Sequence, residues 1–230
     1  MNILLISDAH GNYYALKQVL DMVKFDELVF LGDIVDYGPM PAETMDLLFS
    51  AGGRIIMGNH DFAAATGSDC ACAPAMHDLS VYTRENITLK DLSRGDLERL
   101  KSLPDVLEFD LEGRRFYAVH GSPFNHLQGY VFSTELEIIW KDRNMKNFDF
   151  ILFGHTHFQT LYRGKIMNPG SVGQPRDGVW LPSFATLDTA SGEIVFRRFR
   201  YDNIRTWELL KSRIKDEKFL KQLEPFYLQS

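Results

Sequence analysis

The stretch DFILFGHTHF, residues 149–158, decides how the rest of the chain is read. Phe150 to Phe153 make an apolar run of strand length, and His155 and His157 follow it two positions apart. A short apolar run without polar alternation fits a strand buried on both faces. Successive side chains of a strand point to opposite faces, so residues i and i+2 share one. If extended geometry continues to residue 157, both imidazoles aim at one point, which suggests a metal ion.

The same pattern recurs upstream. NILLIS (2–7) runs into Asp8-Ala9-His10, ELVFLG (27–32) into Asp33, and RIIMG (54–58) into Asn59-His60-Asp61. FYAV (116–119) runs into His120-Gly121. Of the seven histidines, only His77 and His126 lie away from these run ends, and both are expected on loops without a role. In open α/β sheets, sites form at the carboxyl ends of strands.

Helical patterns separate the early runs. YYALKQVLDMVK (13–24) places Leu16, Val19, Leu20 and Val23 on one face, and PAETMDLLFSAGG (41–53) reads as a helix stopped by glycine. Alternating strands and helices predict an α/β fold with an at least partly parallel sheet. Residues 63–104 break the alternation. ATGSDCACAPAMHD (65–78) is small and turn-rich, whereas VYTRENI and SRGDLERLKSLP read as helices, with Ser93 as an N-cap. This region is expected to be a helical insertion over one sheet edge.

Downstream, VLEFDLEGRRFYAVHG predicts a hairpin turning near Glu112-Gly113. STELEIIWKDRN predicts a helix capped by Ser133 or Thr134. TLYRGKIMNPG and SFATLDTASGEIVFRRFRY each predict strand–turn–strand. Residues 203–228 read as helical, with Trp207, Leu210, Ile214 and Phe219 on an apolar stripe. Phe124, Trp140 and Trp180 are expected in the core. The organisation expected is one domain over 1–230, with the insertion at about 63–104 and the C-terminal helical segment at about 203–228.

Hydrophobic residues make up 45% and charged residues 24%, an ordinary globular balance. The net charge of −6 and pI of about 5.6 argue against a long nucleic-acid footprint. They leave room for an anionic substrate, because a bound metal ion adds local positive charge. Cys70 and Cys72 are too few for a disulfide framework and are read as free thiols without a role. MNILLISDAHGN lacks a basic segment before its short apolar run, and no stretch reaches the roughly 18–20 apolar residues of a spanning helix. A cytoplasmic, non-membrane protein is expected, with homo-oligomerisation left open.

Asp8, His10, Asp33, Asn59, His120, His155 and His157 together offer imidazole nitrogens and amide or carboxylate oxygens, without a thiolate. Such a set suits borderline divalent ions, with manganese leading and iron, zinc, nickel or cobalt as alternatives. The set is too large for one ion and suits two, with Asp33, a lone acid at a strand end, as the bridging candidate. Two ions roughly 3.5–4 Å apart can bind a phosphoryl oxygen, hold a nucleophilic hydroxide and offset charge during in-line displacement.

DAH, GD (32–33), GNHD (58–61), HG (120–121) and GHTH (154–157) resemble, in order, the five motifs of the calcineurin-like metallophosphoesterases. NPGSVGQPR (168–176) is similar to the prokaryotic phosphodiesterase branch of that superfamily. The resemblance implies a four-layer αββα sandwich of two mixed β-sheets with helices outside. It implies one metal on Asp8, His10, His157 and bridging Asp33, and a second on Asn59, His120, His155 and Asp33. His60 would donate a hydrogen bond or proton to the phosphate or leaving oxygen, with Asp61 steadying its ring, and a metal-bridging hydroxide would attack.

The chain also departs from a branch of the superfamily. Phosphoprotein phosphatases carry an arginine in a GDxVDRG pattern and another after the GNH motif; here GDIVDYG places Tyr37 at the first position and Phe62 follows Asp61. Arg176 in QPRDG is the alternative substrate arginine, and Tyr37 a candidate pocket residue. The expected activity is hydrolysis of small-molecule or nucleotide phosphodiesters. The alternatives are a phosphomonoesterase, a phosphoprotein phosphatase, a dinucleoside-polyphosphate hydrolase or a non-catalytic scaffold.

Overall fold

The apolar runs become the strands that carry the site. The structure, a computed structural model, describes residues 1–228, so the last two residues of the domain expected over 1–230 lie outside it. The strands are β1 (Asn2–Ile6), β2 (Glu27–Phe30), β3 (Arg54–Ile55), β4 (Val106–Leu111), β5 (Arg114–Val119), β6 (Phe150–Leu152), β7 (Gln159–Tyr162), β8 (Ile166–Pro169), β9 (Ser183–Asp188) and β10 (Ile194–Arg198). They form two sheets, ordered β10-β9-β1-β2-β3 and β4-β5-β6-β8-β7. Within them β1-β2-β3 and β5-β6-β8 are parallel, while β9, β10, β4 and β7 run antiparallel to their neighbours.

Alternation along β1 explains the layering. Ile3 and Leu5 face the second sheet and pack with Val29, Leu31, Phe116, Ala118, Phe150 and Leu152. Leu4 and Ile6 face the other way, onto Leu16 and Val19 of the helix Tyr13–Met22 and Met45 and Leu48 of the helix Pro41–Ala51. Beyond the second sheet, Tyr117, Val119, Ile151 and Phe153 pack on Leu136 and Ile139 of the helix Ser133–Lys141. The result is the four-layer αββα sandwich. The β4–β5 hairpin turns at Glu112 and Gly113, both with positive φ (48° and 77°), as expected for a tight turn matching strand twist.

Several local expectations are corrected. A helix, Asn59–Thr66, starts directly at the GNHD motif, and Pro74 opens another, Pro74–Thr83, inside the stretch read as turn-rich; proline suits the first helical turn, where its missing N–H has no partner to lose. That helix runs on through a π-helical turn, Arg84–Thr88. Ser133 and Thr134 are not caps: the N-cap is Phe132, whose amide donates to Glu135 at 3.3 Å. The C-terminal segment is two helices, Asn203–Arg213 and Glu217–Tyr227, with Ile214 at the break. Phe124 (56% exposed) and Trp180 (36%) lie outside the core, while Trp140 is half-buried. The helices of the middle region and the C-terminus share a cluster around Tyr37 that includes Leu79, Ile87, Trp207, Leu210 and Tyr227.

Candidate metal centre

Every ligand-type residue singled out in the sequence leaves the carboxyl end of a strand, and the two sheets bring those ends together. Asp8 and His10 follow β1, Asp33 follows β2, Asn59 follows β3, His120 follows β5, and His155 and His157 follow β6. All seven are essentially buried, none more than 4% exposed. Asp8, His10, Asp33 and His157 form one group with potential ligand atoms within 4.8 Å of each other; Asp33, His120 and His155 form a second. Asn59 joins the second, its Oδ1 lying 3.0 Å from His120 Nε2 and 3.1 Å from His155 Nδ1. Asp33 belongs to both, with Oδ2 3.7 Å from His10 Nε2 and 3.2 Å from His120 Nε2.

This corrects the simple reading of His155 and His157. β6 ends at Leu152, and both histidines sit in left-handed backbone with φ of 64° and 62°. The extended geometry does not persist, and their rings part: His155 toward Asn59, His157 to within 3.4 Å of Asp8 Oδ1. Asp8, His10, Asp33, Asp36 and Tyr37 share the positive φ. Non-glycine residues there are strained, and such strain clusters where surrounding structure fixes a functional geometry. Glycine is required at positions 32 and 58. A Cβ on Gly32 would come within 2.7 Å of His120 Nδ1, and one on Gly58 would collide with the Asp33 carboxylate.

The imidazoles are preset. His10 Nδ1 donates to the Val35 carbonyl (3.0 Å), His120 Nδ1 to Leu31 (2.6 Å) and His157 Nδ1 to Gln174 (2.5 Å). Fixing one ring nitrogen as donor leaves Nε2 of His10 and His157 with an inward lone pair, the state a metal ligand needs, whereas His120 Nε2 carries a proton toward Asp33 that an ion would displace. His10 and His157 then present their Nε2 atoms to each other at 3.2 Å with no donor between them. Asp8 Oδ2 and His155 Nε2 are buried without any hydrogen-bond partner. Acceptors facing acceptors in a buried space call for cations, so the residues fit divalent metal ions.

Electrostatics divides the groups. Burial pushes Asp8 up to about 7 and holds His10, His155 and His157 well below the usual imidazole value. Burial would also lower His120, but the charge and hydrogen bond of Asp33 outweigh it and hold it at about 9. Burial opposes ionisation of Asp33 as well, yet the charges of His120 and His60 keep its carboxyl well below the usual range.

His60 lies beside the cluster, its ring centroid 5.1 Å from that of His10. Its Nδ1 donates to Asp36 Oδ2 at 3.0 Å, so the partner expected from the sequence, Asp61, is corrected to Asp36. Asp61 instead accepts from the backbone amides of Asp33 (2.9 Å), Ile34 (2.9 Å), Val35 (3.2 Å) and Gly58 (3.0 Å), pinning the two motif loops together. Asp36 is wholly buried and also takes bonds from Arg84 (3.3 Å) and Thr88 (2.9 Å). Despite burial, the Asp33 charge and the Asp36 bond keep His60 above its ordinary value.

Tyr37 is buried, with its ring centroid 4.9 Å from those of both His10 and His60. It supports those rings rather than lining an open pocket. The Arg176 guanidinium lies 5.4 Å over the Tyr37 ring and is tied to Gln174 Oε1. Gln174 was missed in the sequence, although it orients both Arg176 and, through its carbonyl, His157. His77 and His126 pair with Asp69 (3.0 Å) and Asp105 (2.9 Å) away from the cluster.

The profile of the calcineurin-like phosphoesterase superfamily domain matches residues 1–192. The chain belongs to this family. The family uses divalent metal ions, and membership in it supports a hydrolase. An uncharacterized protein of Methanocaldococcus jannaschii is 29% identical, covering 93% of this chain and 94% of its own length. The crystal structure of a metallophosphoesterase from Sphaerobacter thermophilus superposes with a TM-score of 0.78 at 28% identity, covering 98% of this chain and 100% of that one. A symmetrical bis(5'-nucleosyl)-tetraphosphatase of Paracidovorax citrulli is 31% identical over 126 residues, 52% of this chain and 44% of that protein. Among the described residues, no helix is long and apolar enough to cross a membrane.

Proposed function

We propose that this member of the family is a dinuclear metal-dependent phosphodiesterase acting on small-molecule or nucleotide phosphodiesters. The observation that carries the reading is the buried pair of donor groups sharing Asp33, in which His10 and His157 turn Nε2 atoms toward each other and Asp8 Oδ2 and His155 Nε2 have no hydrogen-bond partner. Asp8, His10 and His157 would hold one ion and Asn59, His120 and His155 the other, each with Asp33, manganese being the first ion to try. Bound there, two divalent ions supply Lewis acidity, an activated water as nucleophile and charge compensation for phosphoryl transfer.

His60 does the proton work. With Nδ1 held by Asp36, its other nitrogen is left to donate to the phosphoryl or leaving-group oxygen. Arg176, steered by Gln174, supplies a positive charge near the group. The absence of an arginine at position 37 favours the single charge of a diester over a dianionic monoester.

An aromatic path leads away from the centre. The Tyr130 ring lies 4.2 Å from His155, Phe132 stacks on Tyr130 at 6.1 Å, and Phe158 meets Phe132 edge-on at 6.1 Å. Phe132 and Phe158 are exposed, which suits stacking of a nucleobase. The tetraphosphatase relatives favour a second reading, hydrolysis of dinucleoside polyphosphates.

The test compares a chromogenic diester, its matching monoester and a dinucleoside tetraphosphate, using metal-stripped protein with added manganese, nickel, zinc or magnesium. Metal-dependent turnover preferring the diester supports the proposal. Preference for the tetraphosphate moves the assignment to the second reading. No turnover with any ion, in protein shown to hold two ions, removes the enzymatic reading.

A further inference from the structure

Cys70 and Cys72 have no part in the phosphoesterase reading, yet they sit against it. The left-handed Ala71 between them (φ 49°) bends the chain back on itself. Their sulfur atoms lie 2.8 Å apart, approaching the roughly 2.05 Å of a disulfide. Strain at a non-glycine residue is retained where it serves a defined geometry, and here it brings two thiols together. Cys70 is buried, whereas Cys72 is half-buried between exposed Ala71 and Ala73.

Two contacts link this turn to the centre. The Cys70 carbonyl accepts from Asn59 Nδ2 at 2.9 Å, which fixes the amide so that Asn59 Oδ1 faces His120 and His155. Cys70 Sγ lies 3.4 Å from Ser80 Oγ, itself 3.2 Å from His60 Nδ1. Any change in the turn therefore reaches a proposed ligand and the proposed proton donor.

We propose that Cys70 and Cys72 form a reversible oxidative-modification site that takes hydroperoxides and, once oxidised, weakens the half of the metal centre built on Asn59. One sulfur of the pair attacks the peroxide O–O bond as its thiolate, becoming a sulfenic acid and releasing water or an alcohol. The other sulfur attacks it, the S–S bond forms, and the sulfenic oxygen leaves as water. Two thiols lose two electrons and two protons; the peroxide accepts them. Closing this small ring redirects the Cys70 carbonyl and releases the Asn59 amide. Disulfide formation itself is independent of the phosphoesterase reading; its effect on the centre rests on that reading.

The experiment treats reduced, manganese-loaded protein with hydrogen peroxide, then blocks free thiols by alkylation and measures intact mass. Loss of two hydrogens with no alkylation, reversed by dithiothreitol, is the expected result. Cys72→Ser should fail to form the bond while keeping its reduced-state turnover, and Cys70→Ser should likewise fail to form it. Competition with a chromogenic chelator then compares manganese affinity in the two redox states, and one of the two ions should bind roughly tenfold more weakly after oxidation. If both thiols stay alkylatable, or if each is over-oxidised separately, the site is refuted. A disulfide that leaves manganese affinity unchanged refutes its link to the centre.

Discussion

Asp8, His10 and His157 offer their half of the centre one carboxylate and two imidazoles, while Asn59, His120 and His155 offer a neutral amide and two imidazoles. Asp33 lies in both groups. On the proposed two-ion reading, the first half would therefore face its ion with two negative charges and the second with one. Proton occupancy widens the gap. In the first half Asp8 is the group that must lose a proton, from a value of about 7; in the second it is His120, from about 9. Two halves that look alike as motifs should thus differ in ion affinity, with the half around Asp8 filled first near neutral pH.

The largest expected effect removes the comparison altogether. Asp33→Asn takes the shared carboxylate from both halves, so turnover and both metal equivalents should vanish, as read by elemental analysis beside an activity assay. Retention of one tightly held ion would show that Asp33 serves only one half.

Next, Asp8→Ala and Asn59→Ala should part company. Each should abolish turnover, but Asn59→Ala should keep one tight ion, while Asp8→Ala should leave only a weak one. Equal residual affinities would break the asymmetry.

His60→Gln tests what lies outside both halves: kcat should fall ~10²–10⁴-fold with metal content unchanged. Asp36→Asn should follow in the same direction by up to about 10²-fold, through lost ring orientation. Loss of metal in His60→Gln would mean that His60 is a ligand.

The smallest effect is in pH. A proton on His120 competes with the ion, and its raised value means that competition persists until pH passes about 9. Affinity for the second ion should therefore rise with pH between about 7 and 9, accompanied by proton release in weakly buffered titration, while the first changes less. Equal slopes would contradict the division. Across the same titration, filling each site should raise Tm, because ions bound only by the native state stabilise it.

Much of the centre was legible because its signal is local. A buried strand must be an apolar run, and a residue directly after it must emerge at the strand end, so Asp8, Asp33, Asn59, His120 and His155 could be located from position alone. The hairpin at Glu112-Gly113 was legible for the same reason, since the turn conformation is set by neighbouring residues. The start of a helix at Asn59 was hidden, because NHDFAAAT lacks an amphipathic stripe and forms where Asp61 ties the Gly58 amide to the loop after β2. The exposure of Phe124 and Trp180 was equally hidden, as aromatic residues carry no label for core or rim.

By itself, then, the sequence determined which residues stand at the ends of buried strands and that their donor atoms suit divalent ions. Only the tertiary structure decided which of them meet. His10 faces His157 across 147 positions of chain, and Asp36 rather than the adjacent Asp61 holds His60. The physical reason is range. Side-chain alternation and turn conformation depend on a few neighbouring residues, whereas partnership depends on sheet order and on left-handed turns that rotate adjacent side chains, such as His155 and His157, into different groups.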